Sequence, residues 1–296
     1  MLRHTTRTMR SHAWLYVMIL PVIAYFLIFV YYPLYQGAAS SFQEFKLLGT
    51  AEWIGTENYL EVWKDGTFWQ VVKNTLLIGG GILVFGFFPP IMVALALNEA
   101  ATLLFKKLAQ TTVYLPHLFS WVVIGGMWIF LLSPGGGLVN ELLALINVGP
   151  VRFLTNTTWA RATMIGLPIW KDMGYAAIIY LASITSINPS LYEAARIDGA
   201  SRFQQMYQIT LPLLKPTMKV VFMLNILGLL RIFDQIFVMR NPVVQGGIDV
   251  IMTYVYDMGI QRYELGFASA ISVMVLLTTL LLTAIVWRVT RFGRDD

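Results

Sequence analysis

Few residues in this 296-residue chain could do chemistry. It has no cysteine and three histidines, His4, His12 and His117. That removes disulfides, thiol nucleophiles and thiolate metal sites, and it leaves a histidine metal cluster improbable. No paired carboxylates, Ser/His/Asp set or metal-ligand spacing lies in the apolar stretches, so catalysis there has nothing to work with. No G-x-x-x-x-G-K-[ST] phosphate loop is present, which argues against nucleotide binding by this chain. What remains is a small group of polar and aromatic residues set in apolar sequence: Trp128, Trp170, Lys171, Asp172 and Tyr175, then Asn225, Arg231, Phe233, Asp234 and Gln235. A charge in the middle of an apolar span costs about 2.5–3.5 kcal/mol, so it should face protein or water. Arg231 and Asp234, three residues apart, can pair on a helix. Two readings of these groups stand. They are structural pairs near helix ends that snorkel to the interface, or they line a polar path.

The elements that must position them follow from composition. The chain is 57% hydrophobic and only 12% charged, where soluble domains carry roughly 25% charge. The figures argue against a soluble enzyme and exclude a disordered chain. Six stretches have the length of a membrane span: approximately Trp14–Tyr35, Asn74–Asn98, Thr112–Leu132, Ala162–Ile187, Thr217–Met239 and Phe267–Trp287. The first is longer than the apolar core of a signal peptide and reads as a retained span. "GGGILVFGFFPP" in the second suggests a broken or kinked helix, more for close packing of small residues than for flexing. Trp14 and Trp287 read as interfacial anchors, and His117, after Pro116, as structural.

Lysine and arginine orient the spans. Eleven lie in the two tails, the Glu99–Thr111 turn and the 188–216 loop, against seven in the three longer loops on the other side. The first side is therefore expected to be cytoplasmic, with both termini there. This gives an N-tail of residues 1–13, a membrane domain of 14–287 and a C-tail of 288–296. The net charge of +5 is then confined to the inner face, where anionic membrane lipid accounts for it without nucleic acid.

The one sizeable segment on that face, 188–216, reads "NPSLYEAARIDGASRFQQMYQITLPLLKP". Pro189-Ser190 signals a helix start, and Glu193 falls three residues after Ser190 as in a capping box. Ala194 and Ala195 keep the helix slim. Gly199 can take a positive φ and end it. A second amphipathic stretch, Ala200–Ile209, puts Phe203, Met206 and Tyr207 on one face, Leu211-Pro212 is expected to stop it, and Pro216 to open the next span.

Glu193-Ala194-Ala195, Gly199 at its offset, then Ile209, Leu211 and Pro212 resemble the EAA loop of the permease subunits of binding-protein-dependent ABC importers. "YEAARIDGAS" is similar to the carbohydrate-uptake branch, as are "ARATMIGLPIWKDMGYAAIIYLASI" and "LLRIFDQIFVM". "YLPHLFSWVVIGGMW" is similar to permeases for complex oligosaccharides. Met206 departs from the aromatic residue usual in this family. The resemblance implies an all-α, polytopic membrane protein of six transmembrane helices with the MetI-like permease fold, in a bacterial inner membrane. It implies a subunit that is not itself an enzyme and binds no cofactor, ATP and Mg being used by a partner ATPase dimer. A second permease, giving a heterodimer, and an extracytoplasmic sugar-binding protein complete the implied assembly. Contact with the ATPase would fall on Glu193, Ala194, Ala195, Ile197, Asp198, Gly199, Ala200, Met206, Leu211 and Pro212. The sugar path would draw on Trp128, Trp170, Lys171, Tyr175, Asn225, Arg231, Phe233, Asp234 and Gln235, and Lys171 and Arg231 would suit an acidic oligosaccharide. A permease for another solute, such as glycerol phosphate, and a secondary transporter are the alternatives.

Overall fold

The computed structural model describes residues 13–44, 51–100 and 102–289. The expected tails, 1–13 and 288–296, lie almost wholly outside the described residues. Described residues fall into two compact units. One holds the chain up to Lys64 together with Val255–Met274, and the other holds Asp65–Tyr254 together with the segment from Val275.

The first unit opens on an apolar helix, α1 (Ala13–Phe26), that runs through a π-turn (Leu27–Tyr31) into α2 (Tyr32–Ser40). The π-turn has a cause in Pro33, which has no N–H and whose ring crowds the carbonyl of residue i−4. Widening the helix by one residue relieves this, and the Tyr32 N–H reaches back to the Leu27 carbonyl. A two-residue antiparallel ribbon, β1 (Gln43–Glu44) with β2 (Glu52–Trp53), follows, a small exception to the all-α expectation. Next comes α3 (Glu57–Lys64). Buried Asn58 ties helix to ribbon, its Nδ2 donating to the carbonyls of Ser41 and Gln43 at 3.0 Å each.

The second unit contains α4 (Gly66–Phe85), α5 (Phe88–Asn98), α6 (Leu103–Leu118), α7 (Trp121–Leu131), α8 (Leu138–Leu145), α9 (Thr157–Thr185), α10 (Pro189–Ile197), α11 (Arg202–Gln205), a π-turn (Met206–Thr210), α12 (Leu211–Leu229), α13 (Asp234–Met239) and α14 (Gln245–Ile248). Two further helices, α15 (Ile251–Tyr256) and α16 (Leu265–Val289), cross the division between the units. The 29-residue α9 is the centre of the second unit. Ala160, Met164, Leu167, Lys171, Gly174, Ala177, Leu181 and Ile184 recur at three- and four-residue steps and are all buried, the pattern of one helix face turned to a core. One cluster packs Met164 with Ile78, Ile236 and Ile248. Another packs Ala177 and Tyr180 with Ile91 and Leu214. At Gly174 the backbone of α6 comes so close that a Cβ would lie 1.9 Å from the Val113 carbonyl oxygen.

Among the described residues four helices, Val17–Ser40, Gly66–Asn98, Arg202–Leu229 and Leu265–Arg288, are long and apolar enough to cross a membrane. A broken pair, Leu103–Leu118 with Trp121–Leu131, bent by 98°, is a fifth when the two pieces are counted as one span. The long α9 has the length of a crossing, but Lys171 and Asp172 in its middle lower its apolarity. Six crossings are compatible with these helices, and three expected elements are corrected. The third span, Thr112–Leu132, is not one helix: after Pro116 the chain breaks at Phe119, and Ser120 caps a new helix by accepting from the Val123 N–H at 3.4 Å. The fifth, Thr217–Met239, ends at Leu229 and restarts at Asp234. Pro212 does not stop a helix. The π-turn Met206–Thr210, with the Leu211 N–H on the Met206 carbonyl, absorbs it as its counterpart absorbs Pro33, so Arg202–Leu229 runs on as one 28-residue helix.

In the second span Gly86 ends α4 and Phe88-Pro89-Pro90 starts α5. The close packing expected of its glycines is present: a Cβ on Gly79 would meet Leu229 at 2.9 Å, and one on Gly81 would meet Ile165 at 2.6 Å.

Candidate functional site

The 188–216 segment is assembled from local hydrogen bonds. Asn188, not Ser190, caps α10, its Oδ1 accepting from the Ser190 N–H at 3.0 Å. The Ser190–Glu193 capping box is therefore not formed, because Pro189 takes the first helical position and moves the cap back by two residues. At the other end Gly199 has φ +80°. The Ala200 N–H bonds the Ala195 carbonyl at 2.8 Å and the Gly199 N–H bonds the Arg196 carbonyl at 3.1 Å, which is a Schellman closure. The capping box lies in the next helix instead: Ser201 Oγ accepts from the Gln204 N–H at 3.3 Å, and Gln204 Oε1 accepts from the Ser201 N–H at 2.7 Å. The S-x-x-Q spacing at 201–204 was a readable signal for it.

Longer contacts hold the segment in place. Tyr192 and Thr210 share a hydroxyl hydrogen bond of 2.9 Å, and Arg202 pairs with Glu99 at 2.9 Å. Between them lies a cavity of about 290 Å³ bordered by Glu99, Tyr192, Glu193, Arg196, Arg202 and Met206. Glu193, Ala194, Asp198 and Gly199 are exposed, Ala195 and Ala200 half-buried, and Ile197 is 87% exposed. Phe203 and Tyr207 are also exposed. Met206 turns away from them to line the cavity, so the expected face of Phe203, Met206 and Tyr207 is corrected to Phe203 and Tyr207, one helical turn apart. Leu211 is half-buried and Pro212 exposed.

The polar residues of the spans separate into three places. Trp128 and Trp170 meet edge-on, 5.5 Å apart at 84°. Trp128 packs on the core, its Nε1 buried without a hydrogen-bond partner among the described residues. The second place is the break in the third span. Lys171 is 6% exposed, so its reading as a snorkelling residue is corrected. Its Nζ donates to the His117 carbonyl at 3.0 Å, stands 5.6 Å from the Trp121 ring centroid and 3.7 Å from Asp172 Oδ1. One cation thus caps the end of α6, where helix carbonyls are unpaired and the dipole is negative, and holds the start of α7. His117 Nδ1 lies 2.8 Å from Asp172 Oδ1, and its ring stacks on Tyr175 at 4.5 Å and 10°. Asp172 and Tyr175 are exposed. The role of His117 at this cluster was not legible, since its partners are 54 and 55 residues away.

The third place is the end of α12. Asn225, Arg231 and Asp234 are exposed, Phe233 is half-buried and Gln235 buried. Phe233 stacks on Phe237 at 5.0 Å. The expected Arg231–Asp234 helical pair does not form, because the helix ends at Leu229, before Arg231, and the next begins only at Asp234. Nearby, Arg161 serves structure: its Nε donates to the Gly247 carbonyl at 2.8 Å and its Nη2 to Asn74 Oδ1 at 3.1 Å. Asn74 Nδ2 in turn donates to the Gly246 and Asp249 carbonyls.

Known proteins share this architecture. The chain is 37% identical over 288 residues to the polygalacturonan/rhamnogalacturonan transport system permease protein YteP of Bacillus subtilis, covering 95% of this chain and 89% of that one. It superposes with a TM-score of 0.90 and 35% identity on a chain of a bacterial ABC transporter involved in the import of the acidic polysaccharide alginate, covering 99% of this chain and all of that one. A second structure of a bacterial alginate ABC transporter, in complex with an alginate pentasaccharide-bound periplasmic protein, matches at TM-score 0.89, 35% identity and 98% of both chains. Residues 91–292 match the family model of the binding-protein-dependent transport system inner membrane component. With two thirds of its length inside that model and its fold shared from end to end, the chain belongs to the family of inner-membrane permease components of binding-protein-dependent ABC importers.

Proposed function

We propose that this chain forms half of the translocation path for an oligosaccharide, acidic chains included, delivered by an extracytoplasmic binding protein and moved by alternating access. The observation that carries the reading is the exposed polar and aromatic surface within the spans, Asp172 and Tyr175 at the break and Asn225 on α12, with His117 stacked on Tyr175. Hydrocarbon does not suit such a face, whereas sugar hydroxyls and flat ring faces do. The sugars named for the relatives support the choice of substrate.

On this reading the second permease covers the face, giving a heterodimer, and both termini and the 188–216 loop lie in the cytoplasm. Ile197, Phe203 and Tyr207, exposed on the loop, enter a groove on an ATPase dimer, with Glu193 as the ionic contact and Gly199 setting the bend. Ala194, Ala195, Asp198 and Ala200 complete the docking surface. Nucleotide and Mg belong to that ATPase, and this chain binds neither.

The test is reconstitution with the second permease, ATPase and binding protein in proteoliposomes. Vanadate-sensitive ATP hydrolysis stimulated by oligosaccharide-loaded binding protein, with uptake of the sugar, is expected. Stimulation by glycerol phosphate and by no sugar would overturn the choice of substrate.

A further inference from the structure

The break in the fifth span sorts its residues by polarity. Between the end of α12 and the start of α13, Leu230 is buried and Leu229, Ile232 and Phe233 are half-buried, while Arg231 and Asp234 are exposed. Leu229 and Ile232 lie against Gly79 of the second span, 2.9 and 3.1 Å from where a Cβ on it would sit. A surface turned to hydrocarbon shows the reverse sorting, because lipid leaves a charge without partners. Among the described residues the Arg231 side chain has no hydrogen bond or ion pair, and Asp234, three residues on, does not reach it. Lys171, Arg161 and Arg240, by contrast, each have an acceptor within the chain. The surface leading to Arg231 is open. Asn225 and Gly228, one turn apart on α12, are both exposed, and a Cβ on Gly228 would meet nothing within 4 Å. The Arg231 N–H closes the last turn on the Gly228 carbonyl at 3.0 Å. An amide and a guanidinium are thus separated by a rise of about 9 Å at 1.5 Å per residue, with a bare glycine between them.

We infer that Arg231 is the residue of this chain that reads the charge of a carboxylate-bearing sugar chain in transit, its guanidinium taking a carboxylate while Asn225 serves hydroxyls. The inference rests on the oligosaccharide reading above and names the residue that makes that path selective for acidic chains. A guanidinium keeps its charge and presents a planar fork that matches a carboxylate in two parallel bonds. Without an acceptor from its own chain, such a group in a span calls for an anion or water. A neutral sugar offers it hydroxyls alone, which are weaker partners than a carboxylate. Lys171, the other basic residue expected to suit an acidic chain, is turned inward to the His117 carbonyl. The task of meeting a passing carboxylate therefore falls to the break between α12 and α13.

The probes are trigalacturonate and its fully methyl-esterified form, each offered to the complete complex in proteoliposomes, with the esterified chain as the uncharged reference. For Arg231→Gln the ratio of acidic to esterified uptake is expected to fall about tenfold from that of the parent, the loss of a charge-assisted contact. Arg231→Lys keeps the charge and loses the fork, so its ratio should fall between those of the parent and the glutamine variant. Asp234→Asn removes a carboxylate that repels the substrate's own and should leave the ratio at or above the parent's. An unchanged ratio in Arg231→Gln overturns the inference, including the case in which uptake of both chains drops equally. So does a glutamine variant whose subunits no longer co-purify, which would mark Arg231 as a fixed partner of the second permease. A lysine variant no better than glutamine, or an Asp234→Asn ratio as low as that of Arg231→Gln, overturns it as well, the last marking a structural pair. A parent complex that takes up the esterified chain alone also overturns it and leaves the oligosaccharide reading standing. A parent that transports neither sugar overturns that reading itself.

Discussion

Two sharp turns interrupt helices in this chain, and they are held in opposite ways. At Gly199 the backbone takes φ +80°, and every bond that closes the turn comes from within five residues. A Cβ there would meet nothing within 4 Å. The 98° bend between α6 and α7 uses no positive φ. Its open carbonyl is taken by Lys171 from 54 residues away. One helical turn past Lys171, Gly174 leaves no space at all against Val113. The first turn is a local shape that would survive being moved as a unit, which suits a piece that docks. The second belongs to the α6–α9 interface and can change only if α9 moves.

The largest effect is expected where the buried interface is overfilled. In Gly174→Val, Cβ would sit inside the contact radius of a backbone oxygen that no rotamer can displace. The cost is about 3 kcal/mol or more, read as failure to recover folded protein in detergent or as a large drop in thermal midpoint. An unshifted midpoint would mean that α6 and α9 are not held at this distance.

Next is Lys171→Met, which keeps the volume and removes the cation. The His117 carbonyl loses its donor in a part-buried setting, at about 1–2 kcal/mol. Asp172 and the His117–Tyr175 stack lose the group that anchors the break. Increased deuterium exchange in 117–121, with 188–201 unchanged, is the expected signature. Equal exchange in both turns would erase the contrast between them.

The difference between the turns also explains what was legible beforehand. The 188–201 turn is written in residues that act on their neighbours: Asn188 and Pro189 at the start, Gly199 at the stop, Ser201 and Gln204 at the restart. Even there the cap was misplaced, because Ser190 and Glu193 carry the same spacing as a capping box and only the position of Pro189 decides against them. The α6–α7 break was invisible as a break. Thr112–Leu132 is apolar enough to read as one span despite Pro116 and Ser120, and the residue that fixes the bend lies on another helix. Lys171 accordingly read as a residue able to snorkel, when packing turns it inward. Arg231 and Asp234 failed as a pair for a related reason, since i, i+3 pairing assumes a continuous helix, and Arg231 lies in the break between Leu229 and Asp234.

At Gly199 the cost is torsional alone. A β-branched residue at positive φ loses about 1–2 kcal/mol, and Gly199→Val is expected to leave membrane insertion intact while uncoupling ATP hydrolysis from transport. Gly199→Asn, which tolerates the left-handed region, should retain most coupling. Transport at the parent rate by the valine variant would show that the turn does not set the geometry of the loop.

The smallest effect is expected at the contact that ties the local turn to the rest of the unit. The Arg202–Glu99 pair has good geometry at 2.9 Å, but its side chains are 82% and 50% exposed. Exposed pairs of this kind contribute about 0–1 kcal/mol and are screened by salt. Arg202→Gln should therefore leave the thermal midpoint within about a degree or two. If the pair orients the loop toward its ATPase, the variant will still lower coupled transport at low salt, and the parent will converge on it as salt rises. A variant whose coupling deficit persists unchanged at high salt would mean that Arg202 acts through its packing beside Glu193 and Met206 and not through its charge.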